Sequence, residues 1–350
     1  MARKYQQYRK QLLDQWDSLF SDPKLKIVCL PDFFFDILVF PHKDYDLFLK
    51  DIDEVVSRHG GNYRLSDQIF SPGGNAGNLA VVLGALGLRP TFITNVSSFG
   101  KNIIEHFMEP HNVELAIRTT GVMPSTVAFE FKHAGNVSNV MVNANLDTLA
   151  NFGSEQLDKF QWNHIEKANI IAVTNFSANN RYLDLLKGIA EKMSSTASFF
   201  LDFSDISHRL DQMDEIHSVL SDLEAKIGYI SLNENEVTYL NYGDLHHNDS
   251  LETGIVLSKC FQEITFLIHT AKFSSEILNG SLIAKAPSLQ IKPLRATGAG
   301  DTWNAGYLAA VNKLDANKRL FFANTCAAYR MVTEKLPTQH NLKNYLKSVI

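Results

Sequence analysis

The chain is short of cysteine and has no long uninterrupted apolar run, and both shortages narrow what it is. Its three cysteines, Cys29, Cys260 and Cys326, stand far apart and form no CxxC pair. That pattern suits neither a disulfide framework nor a cysteine–zinc site, so a reducing, cytoplasmic setting is expected. No segment is long and uncharged enough to span a bilayer, and the opening MARKYQQYRKQLLDQWDSLF lacks a continuous apolar stretch of the secretory kind. Positive charge is in deficit too: 33 Lys and Arg against 38 Asp and Glu leave a formal net charge of -5. This argues against an extended nucleic-acid footprint and leaves room for local basic clusters, for example around a phosphate. His246 and His247 come without suitably spaced carboxylates, so no hydrolase metal set is recognisable.

What is present is an ordinary globular composition, 45% hydrophobic and 20% charged over 350 residues, enough for one large core. Leu12, Leu13, Trp16 and Phe20 fall near helical spacing, which predicts an amphipathic helical extension over 1–23 packed on a main body of 24–350. Asp14 and Asp17 on that segment disfavour an anionic membrane surface. Strand-like runs at 26–30, 91–95, 170–174, 198–202, 229–232 and 266–270 alternate with helical patterns at 75–86, 101–111, 181–193, 301–311 and 318–334. Such alternation predicts an α/β core, a parallel sheet covered by helices. Two stretches interrupt it, 62–70 and 125–142, the second reading as a hairpin around AGN. Strands that break βα units are expected to leave the main sheet and form a small separate one.

The stretch RATGAGDTWNAG, from Arg295 to Gly306, strips the backbone of side chains just ahead of a helix. Gly298, Ala299 and Gly300 let a ligand approach their N–H groups at the positive end of the helix dipole, which suits a phosphate. Asp301 beside that hole repels an anion, but makes sense as a base accepting a proton from an attacking hydroxyl. Taken alone, the stretch reads equally well as a capped tight turn. A second stretch, SPGGNAGNLAVVLGALG, places Gly73 and Gly74 before another helix with Asn75 and Asn78 in its first turn. Amides there suit a polyhydroxy ligand, or else a turn and a cap. The segment lacks the GxGxxG spacing of a dinucleotide site.

Together these motifs resemble the ribokinase-like, or PfkB-type, carbohydrate kinase family. ATGAGDTWNAG is similar to its C-terminal signature, GGNAGNLA to its N-terminal glycine motif, and NENE at 233–236 to its N-x-x-E motif. PDFFFD at 31–36 matches the first strand with its aspartate, and ANTCAAYRMV at 323–332 the late helix beside the nucleotide. The resemblance runs from about Lys26 to the C-terminus. It implies a three-layer α/β/α sandwich with a mostly parallel sheet and a β-sheet lid inserted around 36–41, 62–72 and 125–143.

By the same resemblance the chain is an ATP- and Mg²⁺-dependent kinase acting on a sugar or sugar-like hydroxyl. Asp301 is then the base, and Gly298, Ala299 and Gly300 form the anion hole. Asp36, Gly73, Gly74 and Asn78 bind substrate, and Asn233 and Glu236 organise Mg²⁺ through water. Thr270, Lys272, Thr297 and Asn324 lie on the nucleotide side. A homodimer paired through the lid is a further expectation. Several positions depart from the family. Arg295 stands where an aspartate commonly helps hold a monovalent cation, so independence from K⁺ is expected, whether the arginine substitutes for the ion or points to solvent. Lys272 replaces a usual glycine and either reaches phosphate or extends into solvent. Pro31 and NVSSFG at 95–100 also differ, on the substrate side. A nucleoside kinase, with Phe33, Phe34 and Phe35 as possible platforms, and a noncatalytic ligand sensor are the alternatives.

Overall fold

The computed structural model describes residues 2–20, 25–41, 43–64, 67–133, 136–242, 249–294 and 297–348. The strands are β1 Ile27–Leu30, β2 Phe34–Phe40, β3 Asp67–Gly73, β4 Thr91–Asn95, β5 Glu114–Arg118, β6 Ser125–His133 and β7 Asn136–Ala144. They continue with β8 Ile170–Thr174, β9 Ser198–Asp202, β10 Ile227–Leu232, β11 Thr265–His269, β12 Phe273–Leu278 and β13 Ser281–Pro287. Nine of these form one sheet in the order β13-β12-β11-β10-β9-β8-β1-β4-β5. It is parallel from β11 through β5, and β12 and β13 join one edge antiparallel.

The sheet is buried on both faces, so its strands read as apolar runs and their residues divide alternately between two cores. Ile27 and Cys29 enter one core, Val28 and Leu30 the other; Ile170 and Ala172 divide from Ile171 and Val173 in the same way. The first core contains residues of the helices Asn75–Ala85, Ala299–Ala310, Ala316–Thr333 and Gln339–Ser348; the second, residues of Tyr182–Lys192, Met213–Asp222 and Glu234–Leu240. Among the described residues no helix is long and apolar enough to cross a membrane.

The N-terminal extension forms the helix Ala2–Asp14 and the turn Trp16–Leu19. Tyr5 and Tyr8 meet the Phe321 ring with centroids 5.2 and 5.6 Å away, and Trp16 meets Phe322 at 6.1 Å. Arg9 donates to the carbonyls of Leu346 and Lys347, satisfying acceptors that the end of the C-terminal helix leaves open.

The four remaining strands make a second sheet in the order β3-β2-β6-β7. β2 pairs antiparallel with β3 and parallel with β6, and β6 folds back on β7. One expectation is corrected here. PDFFFD, matched to the first strand, lies beyond it: β1 ends at Leu30 as expected, and Asp36 sits in β2 of the small sheet, opposite Ser71, where a lid strand was expected around 36–41. The apolar run IVCL and the run FFDILVF serve different sheets, and a purely apolar reading does not locate the break between them. The helix expected from Lys101 starts earlier, at Ser98, because the Ser97 hydroxyl caps it by accepting the Gly100 N–H at 3.1 Å. The β12–β13 hairpin, not among the expected elements, turns at Asn279-Gly280, both at positive φ (48° and 68°), the pair favoured in tight two-residue turns. Arg295, His246, His247 and the turn of the β6–β7 hairpin lie outside the described residues.

Candidate active site

The C-terminal ends of β9, β10 and β11 meet the starts of two glycine-led helices, as ligand sites in open α/β sheets do. A cavity of about 160 Å³ lies there, lined by Asn75, Asp202, Asn233, Glu236, His269, Gly298, Ala299, Gly300 and Asp301. A larger cavity of about 540 Å³ opens at the opposite end of the sheet, bordered by Phe20, Leu88, Ile170, Ser198, Tyr229 and Lys313; none of the candidate site residues lines it.

Gly298 is the N-cap of the Ala299–Ala310 helix in a left-handed conformation (φ 75°), and no side chain caps that end. The N–H groups of Ala299 and Gly300 have no acceptor among the described residues, as expected for an uncapped first turn. A Cβ on Gly300 would meet nothing closer than His269 Cε1 at 3.9 Å, so the space over this turn is open. Asp301, in the same turn, is 7% exposed and its Oδ2 accepts from Asn78 Nδ2 at 2.9 Å, which joins the two glycine helices. Burial, with the charge of Asp202 adding to it, holds the Asp301 carboxyl well above the ordinary carboxylate range despite the Asn78 bond.

The other glycine stretch is built differently. Gly74 caps the Asn75–Ala85 helix at φ 84°, and the orphan N–H groups of Asn75 and Ala76 go to Asp32, at 2.6 and 3.0 Å. Asp32, fully buried, also accepts from Thr174 Oγ1 at 2.8 Å and Asn175 Nδ2 at 2.9 Å. A Cβ on Gly74 would lie 2.9 Å from Asp32 and from the Phe33 backbone, and one on Gly73 would lie 2.2 Å from Asp36. At both positions the chain's own carboxylate occupies the space that glycine clears.

Asn233 and Glu236 form a capping box. Asn233 Oδ1 accepts the Asn235 and Glu236 N–H groups at 2.9 and 3.0 Å, and Glu236 Oε2 accepts the Asn233 N–H at 2.8 Å. Both still border the cavity, and burial, then Asp202, pushes Glu236 up to about 9. Asp202 accepts from Asn304 Nδ2 at 2.7 Å and from the Ser204 N–H at 2.9 Å; burial pushes it up to about 6. Asp202 was unassigned in the sequence, although its position at the end of a parallel strand was a usable signal. His269, His-for-strand-end at β11, was likewise unassigned.

Of the residues expected on the nucleotide side, Thr270 spends its hydroxyl on the following turn, accepting from Lys272 and Phe273 N–H at 3.0 Å each. Asn324 accepts from Trp303 Nε1 at 2.8 Å and donates to the Pro287 carbonyl at 3.0 Å. Lys272 and Thr297 are exposed, and neither lines the cavity. Asp36 is buried within β2 of the small sheet, against Gly73, and does not itself line this cavity.

Residues 44–342 match the family model described as pfkB family carbohydrate kinase. The chain belongs to that family. This kinase is 27% identical over 275 residues to a Pyrococcus horikoshii protein named as a sugar kinase, covering 73% of this chain and 79% of the relative. Its fold is similar to that of an E. coli protein named as a ribokinase II and solved with ATP and Mg²⁺, at 14% identity and a TM-score of 0.67 over 94% of this chain and 100% of the other. It is equally similar to the adenosine kinase of Sinorhizobium meliloti, at 14% identity and a TM-score of 0.69 over 92% and 98%. The central sheet, flanking helices and small second sheet are thus the ribokinase fold.

Proposed function

We propose that this kinase transfers the γ-phosphoryl group of ATP to a hydroxyl of a sugar or sugar-like acceptor, with Asp301 as the base. The observation that carries the reading is one juxtaposition: the buried Asp301 carboxyl and the unpartnered N–H groups of Ala299 and Gly300 border the same small cavity. A raised carboxyl is the better proton acceptor, and Asn78 fixes its orientation. The proton leaving the acceptor hydroxyl passes to Asp301 as its oxygen bonds to phosphorus and the bond to ADP breaks. Gly298, Ala299 and Gly300 hold the transferring phosphoryl oxygens through their N–H groups and the helix dipole. Asp36 and Asn78 orient the acceptor, Gly73 and Gly74 allowing the carboxylates to approach, and the small sheet covers the site against water. Thr270, Lys272, Thr297 and Asn324 flank the nucleotide.

A metal fits the donor set. Asp202, Glu236 and Asp301 line the cavity with no lysine or arginine among the described lining residues, so a polyphosphate needs a cation there. Their oxygens and that of Asn233 are hard donors, yet no group of three or more His, Cys, Asp or Glu is gathered for direct ligation among the described residues. This suits Mg²⁺ held by Asn233 and Glu236 through its own water shell. When bound, it supplies charge neutralisation on the phosphate oxygens.

A sugar is favoured over a nucleoside because the stacked aromatic pairs of the small sheet, Phe35 on Phe70 at 5.5 Å and Phe129 on Phe131 at 6.1 Å, stand on the opposite face from Asp36. ADP production from Mg-ATP, measured across sugars, sugar phosphates and nucleosides, tests the reading. Acceptor-dependent turnover is expected, falling about 10³-fold or more in Asp301→Asn with folding retained. No stimulation by any acceptor would favour the ligand-sensor alternative. With Arg295 in place of an acidic residue, turnover is expected to be the same in Na⁺ and K⁺ buffers; strong K⁺ activation defeats that part. Exposed Ile69, Phe70, Val140, Met141 and Val142 on the outer lid strands support a homodimer. Light scattering returning a monomer at micromolar concentration removes it.

A further inference from the structure

His269 ends β11 on the wall of the cavity that Asp301 and Gly298–Gly300 share. Its ring rests on Trp303, with centroids 4.9 Å apart and planes 30° apart. Trp303 is itself fixed, donating Nε1–H to Asn324 at 2.8 Å, so the imidazole has a rigid back wall. The Cε1 edge, which lies between the two ring nitrogens, faces Gly300. The ring is half-buried, and no hydrogen bond joins either nitrogen to another described residue. Here both are left for whatever enters the open space over Gly300.

Burial also pushes His269 down to about 4, so it is neutral at physiological pH, with one N–H donor and one acceptor nitrogen. The other ionisable side chains on the wall, Asp202, Glu236 and Asp301, are carboxyls. A lysine at this position would pair with Asp301 and lower the basicity the reaction uses. A neutral donor avoids that and still favours an anion.

We propose that His269 completes the anion hole, donating an imidazole N–H to a non-bridging oxygen of the terminal phosphate of the nucleotide. The assignment rests on the phosphoryl-transfer reading above. It involves hydrogen bonding only, and no proton changes owner at His269.

The test compares His269→Phe, which keeps a ring on Trp303 but has no donor, with His269→Gln, which restores an N–H. Mg-ATP binding is measured by calorimetry, and kcat and KM for ATP with whichever acceptor the panel identifies. The Phe variant is expected to melt within a few degrees of the native protein, to bind Mg-ATP about 10-fold more weakly and to lose about 10- to 100-fold in kcat, the order expected for one oxyanion donor. The Gln variant is expected to recover much of both losses. If the Phe variant binds Mg-ATP and turns over as the native protein does, His269 serves only to pack Trp303 and the proposal is overturned. The binding arm stands without turnover: should no acceptor be phosphorylated, the reaction reading fails, while weakened Mg-ATP binding in the Phe variant still supports the phosphate contact and unchanged binding still removes it.

Discussion

Two helices in this protein begin with glycines at positive φ, and the two beginnings are opposite in kind. At Gly74 the helix end is closed: Asp32 takes its N–H groups, and any Cβ would strike Asp32 or the backbone of Phe33. At Gly298–Gly300 the end is open: no side chain caps it, and the nearest atom to an added Cβ on Gly300 is 3.9 Å away. The same sequence device thus receives a carboxylate of the chain itself in one place and is left open in the other, where the bound anion is proposed. Which of the two applies depends on whether a distant segment delivers a carboxylate.

Replacing the glycines sharpens this contrast. Gly74→Ala combines a left-handed φ with two contacts at 2.9 Å, one to backbone, and is expected to cost at least about 2 kcal/mol, read as a fall of a few degrees in Tm. Gly300→Ala has no positive φ and finds room for its methyl group, so Tm is expected to hold within a degree or so. That methyl stands in the space proposed for the phosphate, however, and KM for ATP should rise several-fold. A stable Gly74→Ala protein, or a Gly300→Ala protein with native ATP kinetics, would break the comparison.

A smaller effect probes the open end electrostatically in metal- and nucleotide-free protein. Glu236 titrates at about 9 when folded, against about 4.3 in an unfolded chain. Between those values the folded state holds a proton that the unfolded state has released, so stability falls as pH rises through this window and the loss is complete above about 9. Asp202, at about 6, adds to the same trend over its own narrower range. Glu236→Gln removes the first contribution while keeping an acceptor for the Asn233 N–H. Urea unfolding from pH 6 to pH 9 is expected to give a shallower decline in the variant, by up to about 1.4 kcal/mol per pH unit. Equal slopes would mean that Glu236 is ionised in the empty site.

Much of the molecule was legible from local pattern. The strand at 170–174 and the helix at 182–192 follow from apolar runs and spacing, because a strand buried on both faces has few alternative readings. The motif residues Asn233, Glu236, Gly298, Ala299, Gly300 and Asp301 do converge on one cavity. Less visible were residues whose meaning comes from partners far along the chain. Asp32 looked like part of an apolar strand, yet it caps a helix more than forty positions away. Thr270 and Asn324 looked available for a nucleotide, and both already have their hydrogen bonds within the protein. His269 carried no motif at all, and only its placement against Trp303 and over Gly300 gives it a role.

By itself, then, the sequence determined the alternation of strands and helices, the interrupting lid strands and the small-residue turn before Asp301, since each depends on side-chain size and periodicity over a few neighbours. Tertiary structure alone decided which glycine turn is filled and which is open, and which carboxyls are driven up in pKa. Those properties depend on desolvation and on the approach of segments that are remote in sequence, and no local pattern carries either quantity.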